Sequence, residues 1–359
     1  MDVDRCAFDV LQLNTPLVES IRETIRAQGP QSFAWFMQRA LYHPEQGYYS
    51  SGRCVIGRKG DYFTNVSVGP LFGQLLAAQF FEIWERLGKM NDFVIVEQGA
   101  HDGQFAQDVL EFAQKRLPEF FGASRYWILE PFPILEEQQR RRLEAFGDKV
   151  EWRKSPEPFT GVHFSNELLD AMPVRLISDG TEKLVGLDGD KFVFVERPVD
   201  KTMFNQAALE HIDQIAANLQ RGYAIAIDYG FLKEFERTVQ VRAQHRSLDS
   251  PLERIGHADI TMSVHWKSIV ERAQANGLRV AGFTDQHHFL TGIISQSESG
   301  DRDQSLLAHS RKAKRELQTL LHPEMLGRAF QALALAKNVG PETNPLAGFK
   351  FARQLGQSG

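Results

Sequence analysis

The 359-residue sequence is poor in cysteine and has no long apolar run. Its two cysteines, Cys6 and Cys54, cannot form the disulfide framework of a small secreted domain, and they favour a reducing compartment. The longest apolar stretches, such as residues 223–227, have the length of a strand, whereas a membrane helix needs about 18 to 20 apolar residues. We therefore predict a globular chain without a membrane span.

The chain also lacks an excess of one charge. Lys and Arg total 41, Asp and Glu total 46, and the formal net charge is −5. Because a strongly basic surface is not expected, we predict no nucleic-acid partner. The N-terminal residues include Asp2, Asp4 and Asp9, whereas a secretory or mitochondrial targeting segment is basic or poor in acids. We therefore expect a cytoplasmic protein.

Signatures of several common enzyme classes are also missing. No P-loop and no G-x-S-x-G nucleophile turn occurs, and Gly99 and Gly103 do not have the G-x-G-x-x-G spacing of a dinucleotide site. His287 and His288 have no third ligand at a recognisable spacing, so no metal site is predicted. The composition, 42% hydrophobic and 24% charged, is typical of a globular protein. The length suits about two domains.

From residue 92 onward, short β-rich runs alternate with amphipathic helix patterns. The predicted strands are residues 93–97, 126–130, 149–153, 162–166, 223–228 and 279–284. This alternation predicts an α/β fold with a mainly parallel sheet and helices on both faces. Residues 327–337 suit either a helix or the final strand, because periodicity alone does not separate the two.

Three regions follow from this pattern. Residues 1–90 are predicted to form an N-terminal helical cap, and residues 91–340 the ligand-binding domain. An insertion at 175–222 contains a hairpin, with its turn at residues 188–190, and a helix that leads back to the fifth strand. Residues 341–359 contain Pro and Gly and are predicted to form a loosely held tail.

The sharpest local feature is EQGAHDG at residues 97–103, between a predicted strand and a predicted helix. Glycines there let a ligand approach the backbone, and the helix N-terminus offers free N–H groups. Glu97 closes the first strand and can hold an amino group, while Glu130 closes the next strand and can bind two ribose hydroxyls. This pair suits S-adenosylmethionine (SAM) better than a dinucleotide. The alternative is an ordinary strand-to-helix turn.

A second polar group follows the fourth predicted strand, in the segment SNELLDAMPV at residues 165–174. Here Asn166, Glu167 and Asp170 stand beside an apolar run. Carboxylates at this strand end could orient a cationic or protonated nucleophile and take up its proton. In the alternative interpretation, Asn166 and Asp170 only cap a turn or helix before Pro173.

Several ordered motifs between residues 32 and 337 resemble those of the MidA family of SAM-dependent methyltransferases, whose mitochondrial members methylate an arginine of a complex I subunit. The motifs are FMQRALYHPEQGYYSSG (36–52), GRKGDYFT (57–64), PLFGQLLA (70–77), EQGAHDG (97–103), LEP (129–131), NELLDAMPV (166–174), IDYG (227–230) and ADIT (258–261). Few families combine ALYHPxxGYY with NExxDAxPV. The resemblance implies a Rossmann-like class I methyltransferase fold with a seven-stranded sheet, and SAM as cofactor.

The resemblance also implies roles for individual residues. Glu97 would hold the amino group of SAM, Glu130 its ribose, and the segment 60–64 would fold over it. The predicted cofactor site comprises Glu97, Gly99, His101, Gly103, Glu130, Gly60, Asp61 and Thr64. The predicted catalytic residues, which would line the position from which the methyl group leaves, are Asn166, Glu167 and Asp170.

Two positions depart from the family pattern. The usual E-x-G-x-G-x-G motif has His101 in place of its middle glycine, so this side chain would narrow the cofactor pocket or contact the substrate. The Pro-Glu pair that usually follows GDYFT is replaced by Val66 and Ser67, which removes a carboxylate near the site. Both changes bear on the substrate and on catalysis rather than on the fold.

The implied activity is methylation of a protein side chain, with arginine as the inherited substrate and a subunit of a respiratory complex as the partner by analogy. Two alternatives stay open at this point. One is methylation of a small molecule, and the other is an assembly chaperone that binds SAM or a partner protein without turnover. A homodimer is also an open alternative.

Overall fold

The computed structural model describes residues 15–52, 64–200, 203–232, 239–243, 246–299, 311–340 and 344–352. Its helices are α1 Pro16–Gln28, α2 Phe33–Tyr42, α3 Asn65–Val68, α4 Leu71–Arg86, α5 Gln104–Arg116, α6 Pro118–Ala123, α7 Pro133–Arg142, α8 Gln206–Asn218, α9 Trp266–Ala275, α10 Gln286–Ser299 and α11 Arg311–Leu321. Its strands are β1 Gln31–Ser32, β2 Phe93–Gln98, β3 Ser124–Leu129, β4 Val150–Arg153, β5 Phe159–Asn166, β6 Leu176–Ser178, β7 Thr181–Asp188, β8 Lys191–Pro198, β9 Leu219–Phe231, β10 Val239–Ala243, β11 Arg246–Ser247, β12 Asp259–Met262, β13 Val264–His265, β14 Arg279–Asp285 and β15 Phe330–Lys337.

The chain divides into two compact units, each built from separate segments. The first contains Met1–Tyr62, Ala171–Glu210 and Glu236–Ser263. The second contains Phe63–Asp170, His211–Phe235 and Val264–Gly359. This division differs from the predicted boundary at residue 90, because α4 buries Leu75, Leu76 and Phe80 in the hydrophobic core of the second unit.

The second unit is organised around a sheet in the order β14-β15-β9-β5-β2-β3-β4, to which β13 is added through β9. Neighbouring strands are parallel from β9 to β4, whereas β15 is antiparallel to both β9 and β14. The six predicted strands are present as β2, β3, β4, β5, β9 and β14. The α/β fold is thus confirmed, but the sheet is mixed and, in the described part of the chain, has eight strands rather than seven.

The ambiguous segment near the C-terminus is a strand. In β15, residues 332–336 are all buried, and the strand pairs with β9 from Phe330↔Tyr229 to Lys337↔Gly222. A strand covered on both faces reads as a continuous apolar run, without the alternation that identifies a half-exposed strand. This double burial explains why the sequence pattern did not separate strand from helix.

Helices cover both faces of this sheet, as predicted. On one face Phe164 of β5 stacks on Phe105 of α5, with ring centroids 4.5 Å apart, and contacts Phe80 of α4 at 5.6 Å. On the other face His163 of β5 lies edge-on to His211 of α8 at 5.4 Å. Because successive side chains of a strand point to opposite faces, one dipeptide of β5 joins both layers of the unit.

The two histidines are buried and have unusual acidities. Burial lowers the pKa of His211 to about 4. Burial, together with the proximity of His211, holds the pKa of His163 well below its ordinary value. Both imidazoles are therefore neutral near pH 7, and this helix–sheet contact is sensitive to acid.

The first unit contains the predicted hairpin. Strand β7 pairs antiparallel with β8 through the turn after Asp188, where Gly189 adopts a φ of 59°. The same strand also pairs with β1 and β6. Glu182 on β7 is fully buried and accepts hydrogen bonds from Arg175 at 2.6 and 2.7 Å and from Arg197 at 3.0 Å. Paired in this way, its charge is tolerated inside the sheet.

Part of the predicted loose tail is packed. Phe349 is 2% exposed and contacts Phe289 with ring centroids 5.1 Å apart. The backbone N–H of Ala347 donates to Glu82 at 2.9 Å, and that of Gly348 donates to Gln79 at 2.8 Å. Residues 344–352 are thus held against α4 and α10, by contacts to distant helices that local composition cannot indicate.

Candidate active site

Polar side chains stand at one edge of the sheet of the second unit. Glu97 lies near the end of β2, Glu130 follows β3, Asn166 ends β5 and Asp228 lies towards the end of β9. The chain passes from β2 to β3 and β4 on one side, and later to β5 and β9 on the other, so the strand order reverses at β2. In open α/β sheets, ligands bind at the carboxyl edge beside such a reversal.

Glu97 is a buried acid, only 4% exposed. Burial raises the pKa of Glu97 to about 8; the Tyr126 hydroxyl counteracts this rise, and the charges of Asp102 and Glu130 add to it. The Tyr126 hydroxyl donates to Glu97 Oε2 at 2.7 Å. A cationic group in contact with this carboxyl would favour its ionised form.

Glu130 is equally buried, and two donors hold it. Its Oε1 accepts from the backbone N–H of Phe132 at 2.9 Å, and its Oε2 accepts from Gln139 Nε2 at 2.8 Å. Trp152 Nε1 donates to Gln139 Oε1 at 2.9 Å and so fixes the orientation of that amide. Burial raises the pKa of Glu130. Each carboxylate oxygen can accept a second hydrogen bond, so the side chain can still receive two hydroxyl donors.

The turn between β2 and α5 has three residues with positive φ. The angles are 83° at Gly99, 47° at His101 and 81° at Gly103. Glycine adopts this conformation without steric cost, which gives a physical reason for the glycine usual in the family at the position of His101. A Cβ atom added to Gly99 would lie 3.2 Å from Leu168 Cδ1, so the turn packs against the segment that follows β5.

Asp102 and Arg142 hold this turn in place. Asp102 Oδ1 accepts from the backbone N–H of Gln104 at 3.1 Å. Arg142 donates from Nη2 to Asp102 Oδ2 at 2.6 Å and from Nε to the Asp102 carbonyl at 2.9 Å. Burial opposes ionisation of Asp102, but contacts with His101 and Arg142 outweigh it and lower the pKa of this carboxyl. The sequence predicted no role for Asp102 or Arg142.

Glu167 has a constrained backbone and a fixed carboxylate. Its φ is 53°, and its N–H donates to the Ile227 carbonyl at 2.9 Å. Its Oε1 accepts from the backbone N–H of Asn65 at 3.1 Å and from Asn166 Nδ2 at 2.8 Å. A bulky residue in the left-handed region is unusual, and such strain is often found at functional sites. Asn166 and Glu167, two of the three predicted catalytic residues, are therefore in direct contact.

Asp228 organises the third predicted catalytic residue and was missed as a site residue. Its Oδ2 accepts from the backbone N–H groups of Leu168, Leu169 and Asp170 at 3.2, 2.9 and 3.2 Å. Burial, followed by the charges of Asp170 and Glu167, raises the pKa of Asp228 well above its ordinary value. The motif IDYG was the available signal, but nothing in it shows that its Asp binds three successive amides elsewhere in the chain.

Thr64 lies beside this group, at the N-terminus of α3. Its hydroxyl accepts from the backbone N–H of Ser67 at 3.2 Å, and Ser67 Oγ accepts from the backbone N–H of Thr64 at 2.9 Å. This reciprocal arrangement is a capping box, a motif in which the third helical residue is commonly Glu and is Ser67 here. Ser67 therefore preserves the cap although the family's carboxylate is missing. Gly60 and Asp61, also predicted in the cofactor site, lie outside the described residues.

The polar group at the ends of β2 and β3 and the polar group after β5 are neighbours, because Leu168 packs against Gly99.

Among the described residues, no group of three or more His, Cys, Asp or Glu side chains could hold a metal ion. No helix in the described ranges is long and apolar enough to cross a membrane.

Comparison with known proteins identifies the relatives of the chain. Residues 75–284 match the model of a family described as S-adenosyl-L-methionine-dependent methyltransferases. The chain is 33% identical over 375 residues to the mitochondrial protein arginine methyltransferase NDUFAF7 of Mus musculus, covering 89% of this chain and 84% of that protein. It is 28% identical over 383 residues to the NDUFAF7 homolog of Drosophila melanogaster, covering 90% and 85%.

Solved structures agree with this relationship. A COG1565 superfamily member from Burkholderia thailandensis, bound to S-adenosyl-homocysteine, superimposes with a TM-score of 0.83 at 28% identity over 96% of both chains. A second structure of a COG1565 superfamily protein from this organism, in its native form, gives a TM-score of 0.79 at 27% identity, again over 96% of both chains. The resemblance seen in the motifs is thus confirmed. The chain belongs to the family of SAM-dependent methyltransferases.

Proposed function

We propose that this enzyme transfers the methyl group of SAM to an arginine side chain of a protein. The mouse and Drosophila relatives are named protein arginine methyltransferases and align with most of this chain. The observation that carries the proposal is the cluster of Glu167, Asp170 and Asp228, whose crowded charges add to burial in raising the pKa of Asp228. A guanidinium group bound there would relieve the repulsion and could donate bidentate hydrogen bonds.

The residues at the ends of β2 and β3 fit SAM. The buried Glu97 carboxyl is suited to an ammonium group, and Glu130 is held so that it can accept from two hydroxyls. Gly99 and Gly103 allow the positive φ of the turn, and the absence of a Cβ atom leaves room for Leu168 and Gln139 to pack closely against it. When bound, SAM would supply a methyl group on a sulfonium, and the sulfur would leave as a neutral thioether that needs no proton. His101 then borders the site without being required by the cofactor.

The acidic cluster supplies orientation and a proton acceptor. Because the guanidinium lone pairs are delocalised, its plane and its proton must both be controlled. Glu167 is fixed by Asn65 and Asn166 and orients the guanidinium plane. Asp170 accepts the proton that the attacking nitrogen loses as its bond to carbon forms. Asp228 holds the backbone of residues 168–170 and so positions Asp170.

The cellular location and the methyl acceptor are further parts of the proposal. The named relatives are mitochondrial proteins, whereas a cytoplasmic location for this chain stays a prediction. A subunit of a respiratory complex as the methyl acceptor also stays a prediction by analogy. So do the homodimer and the absence of a nucleic-acid partner.

Incubation of the purified protein with methyl-labelled SAM and a lysate of the source cells tests the proposal. We expect label in protein, recovered as methylarginine after hydrolysis. Glu130→Ala should lose the label, because SAM binding is weakened, while Glu137→Ala, at an exposed position on α7, should keep it. Label in a small molecule would instead indicate a metabolite methyltransferase, and no label above that of Glu130→Ala would indicate a SAM-binding protein without turnover.

A further inference from the structure

Two buried side-chain amides, those of Asn65 and Gln286, lie near the acidic cluster of Glu167, Asp170 and Asp228. Neither was predicted as a site residue. Asn65 is the first residue of α3 and Gln286 the first residue of α10, and both are fully buried. Gln286 Nε2 donates to Asn65 Oδ1 at 2.8 Å and to the Leu320 carbonyl at 3.2 Å. The two residues are 221 positions apart in sequence, so their contact depends on the folded second unit.

This contact determines which way the Asn65 amide points. An asparagine side chain has one carbonyl oxygen and one NH2 group, and a donor at the oxygen places the NH2 on the other side. Asn65 Nδ2 accordingly donates to Asn166 Oδ1 at 3.0 Å. Asn166 in turn donates from Nδ2 to Glu167 Oε1 at 2.8 Å. The result is a chain of hydrogen bonds with one direction, from Gln286 through Asn65 and Asn166 to the carboxylate of Glu167.

Asn65 also reaches Glu167 through its backbone. Its N–H donates to Glu167 Oε1 at 3.1 Å, so this one oxygen receives two N–H donors. Such donors fix the plane of the carboxylate. The backbone of Glu167 is held in the left-handed region by its bond to Ile227, so both ends of the side chain are constrained.

Packing alone does not account for a glutamine at position 286. Its Oε1 is buried and accepts no hydrogen bond from the described residues. An unsatisfied buried acceptor is unfavourable, and an apolar side chain of the same size would avoid this cost. The Nε2 group is the part of the side chain that makes hydrogen bonds, and its bond to Asn65 Oδ1 at 2.8 Å is shorter than its bond to the Leu320 carbonyl at 3.2 Å.

We propose that Asn65 and Gln286 are positioning residues for methyl transfer, which act by directing a chain of amide hydrogen bonds onto Glu167. This inference rests on the proposed function, because Glu167 orients the nucleophile there. Neither amide reaches the ends of β2 and β3 assigned to the cofactor. Loss of the chain should therefore affect the rate of transfer and leave SAM affinity intact.

The test replaces the donor at position 286 in the full-length enzyme. Gln286→Met removes the donor at similar volume, and we expect the single-turnover rate to fall about tenfold to a hundredfold through misplacement of Glu167. SAM affinity should stay within about twofold of wild type, because the proposed cofactor contacts are made by other residues. Gln79→Met is the matched control, since Gln79 is also fully buried but bonds to Glu82 and Gly348 away from the site. It should lose stability and keep the rate.

A second variant guards against misfolding of the first. Gln286→Glu keeps the shape but presents an acceptor to Asn65 Oδ1, which should reverse the chain and slow transfer more at high pH than at low pH. Wild-type rates in both variants would overturn the inference while the proposed function stood. If the wild-type enzyme itself transferred no methyl group to protein, the proposed function would fail. A crystal structure of Gln286→Met would then decide the inference, because an unmoved Glu167 carboxylate contradicts it.

Discussion

At the scale of single residues, the site is determined by carboxyls whose surroundings differ. Glu182 in the first unit is buried but paired with two arginines, which lower its pKa against the effect of burial. Glu97 is buried, no basic side chain among the described residues pairs with it, and burial raises its pKa to about 8. An ion pair with arginine is typical of a structural acid such as Glu182. A buried carboxyl with a raised pKa, such as Glu97, is typical of a ligand-binding site.

Binding of SAM should therefore release a proton from Glu97. At pH 7 a carboxyl with a pKa of about 8 is mostly protonated, and contact with an ammonium group favours its ionised form. We expect a release of up to about one proton per SAM at pH 7. Calorimetry in buffers of different ionisation enthalpy measures this number. Glu97→Gln should bind with little release, and equal release in both proteins would show that another group titrates.

His101 should be tolerated by the cofactor rather than needed by it. The residue has a φ of 47°, and glycine would remove the associated strain of about 1 kcal/mol while adding backbone entropy to the unfolded chain. We expect His101→Gly to bind SAM at least as tightly as wild type. Lys89→Gly is a control, because Lys89 has a φ of 52° outside the site. A tenfold loss of affinity confined to the first variant would make the imidazole a ligand-binding group.

At the scale of secondary-structure elements, the contact between β5 and α8 should make the protein sensitive to acid. The pKa of His211 in the folded protein is about 4, below its ordinary value of 6.5. Between these values the unfolded chain binds more protons than the folded one, so stability is complete above pH 6.5 and decreases as pH falls towards 4. The loss from His211 alone should be about 2 kcal/mol at pH 5.

Denaturant titrations at pH 7 and pH 5 measure this effect. His211→Leu should reduce the difference in unfolding free energy between the two pH values. Gln214→Leu, at an exposed position on the same helix, removes no titratable group and should leave it unchanged. The same acid sensitivity in His211→Leu as in wild type would assign the effect to other groups, with His163 as the first to examine.

At the scale of the whole molecule, the sequence predicted what depends on local pattern. Glu97 and Glu130 were placed together because each closes a strand, and the carboxyl ends of parallel strands share an edge. Asp228 and Gln286 could not be found in this way, because they act through amides at residues 168–170 and 65 that only the folded chain brings near. The two-unit division was missed for the same reason, since each unit joins segments that are distant in sequence.

The central claim is that the acids after β5 carry methyl transfer, and Asp170→Asn tests it most directly. This change keeps the shape of the side chain and removes its charge. The single-turnover rate on the labelled protein substrate should fall by about 100-fold or more, the usual effect of losing a positioned acid–base group. SAM affinity should change little. Asp213→Asn is the matched control, because Asp213 on α8 pairs with Arg272 on α9. This variant should affect stability only.

The decisive measurement is the single-turnover rate of Asp170→Asn, taken together with its melting temperature and its SAM affinity. It shows whether Asp170 has a catalytic role. A slow enzyme that binds SAM normally is the predicted result. If Asp170 served only to cap the turn that follows β5, the variant would lose about 1 kcal/mol of stability and keep its speed. An Asp170→Asn enzyme that is less stable but methylates at the wild-type rate would contradict the assignment of the site.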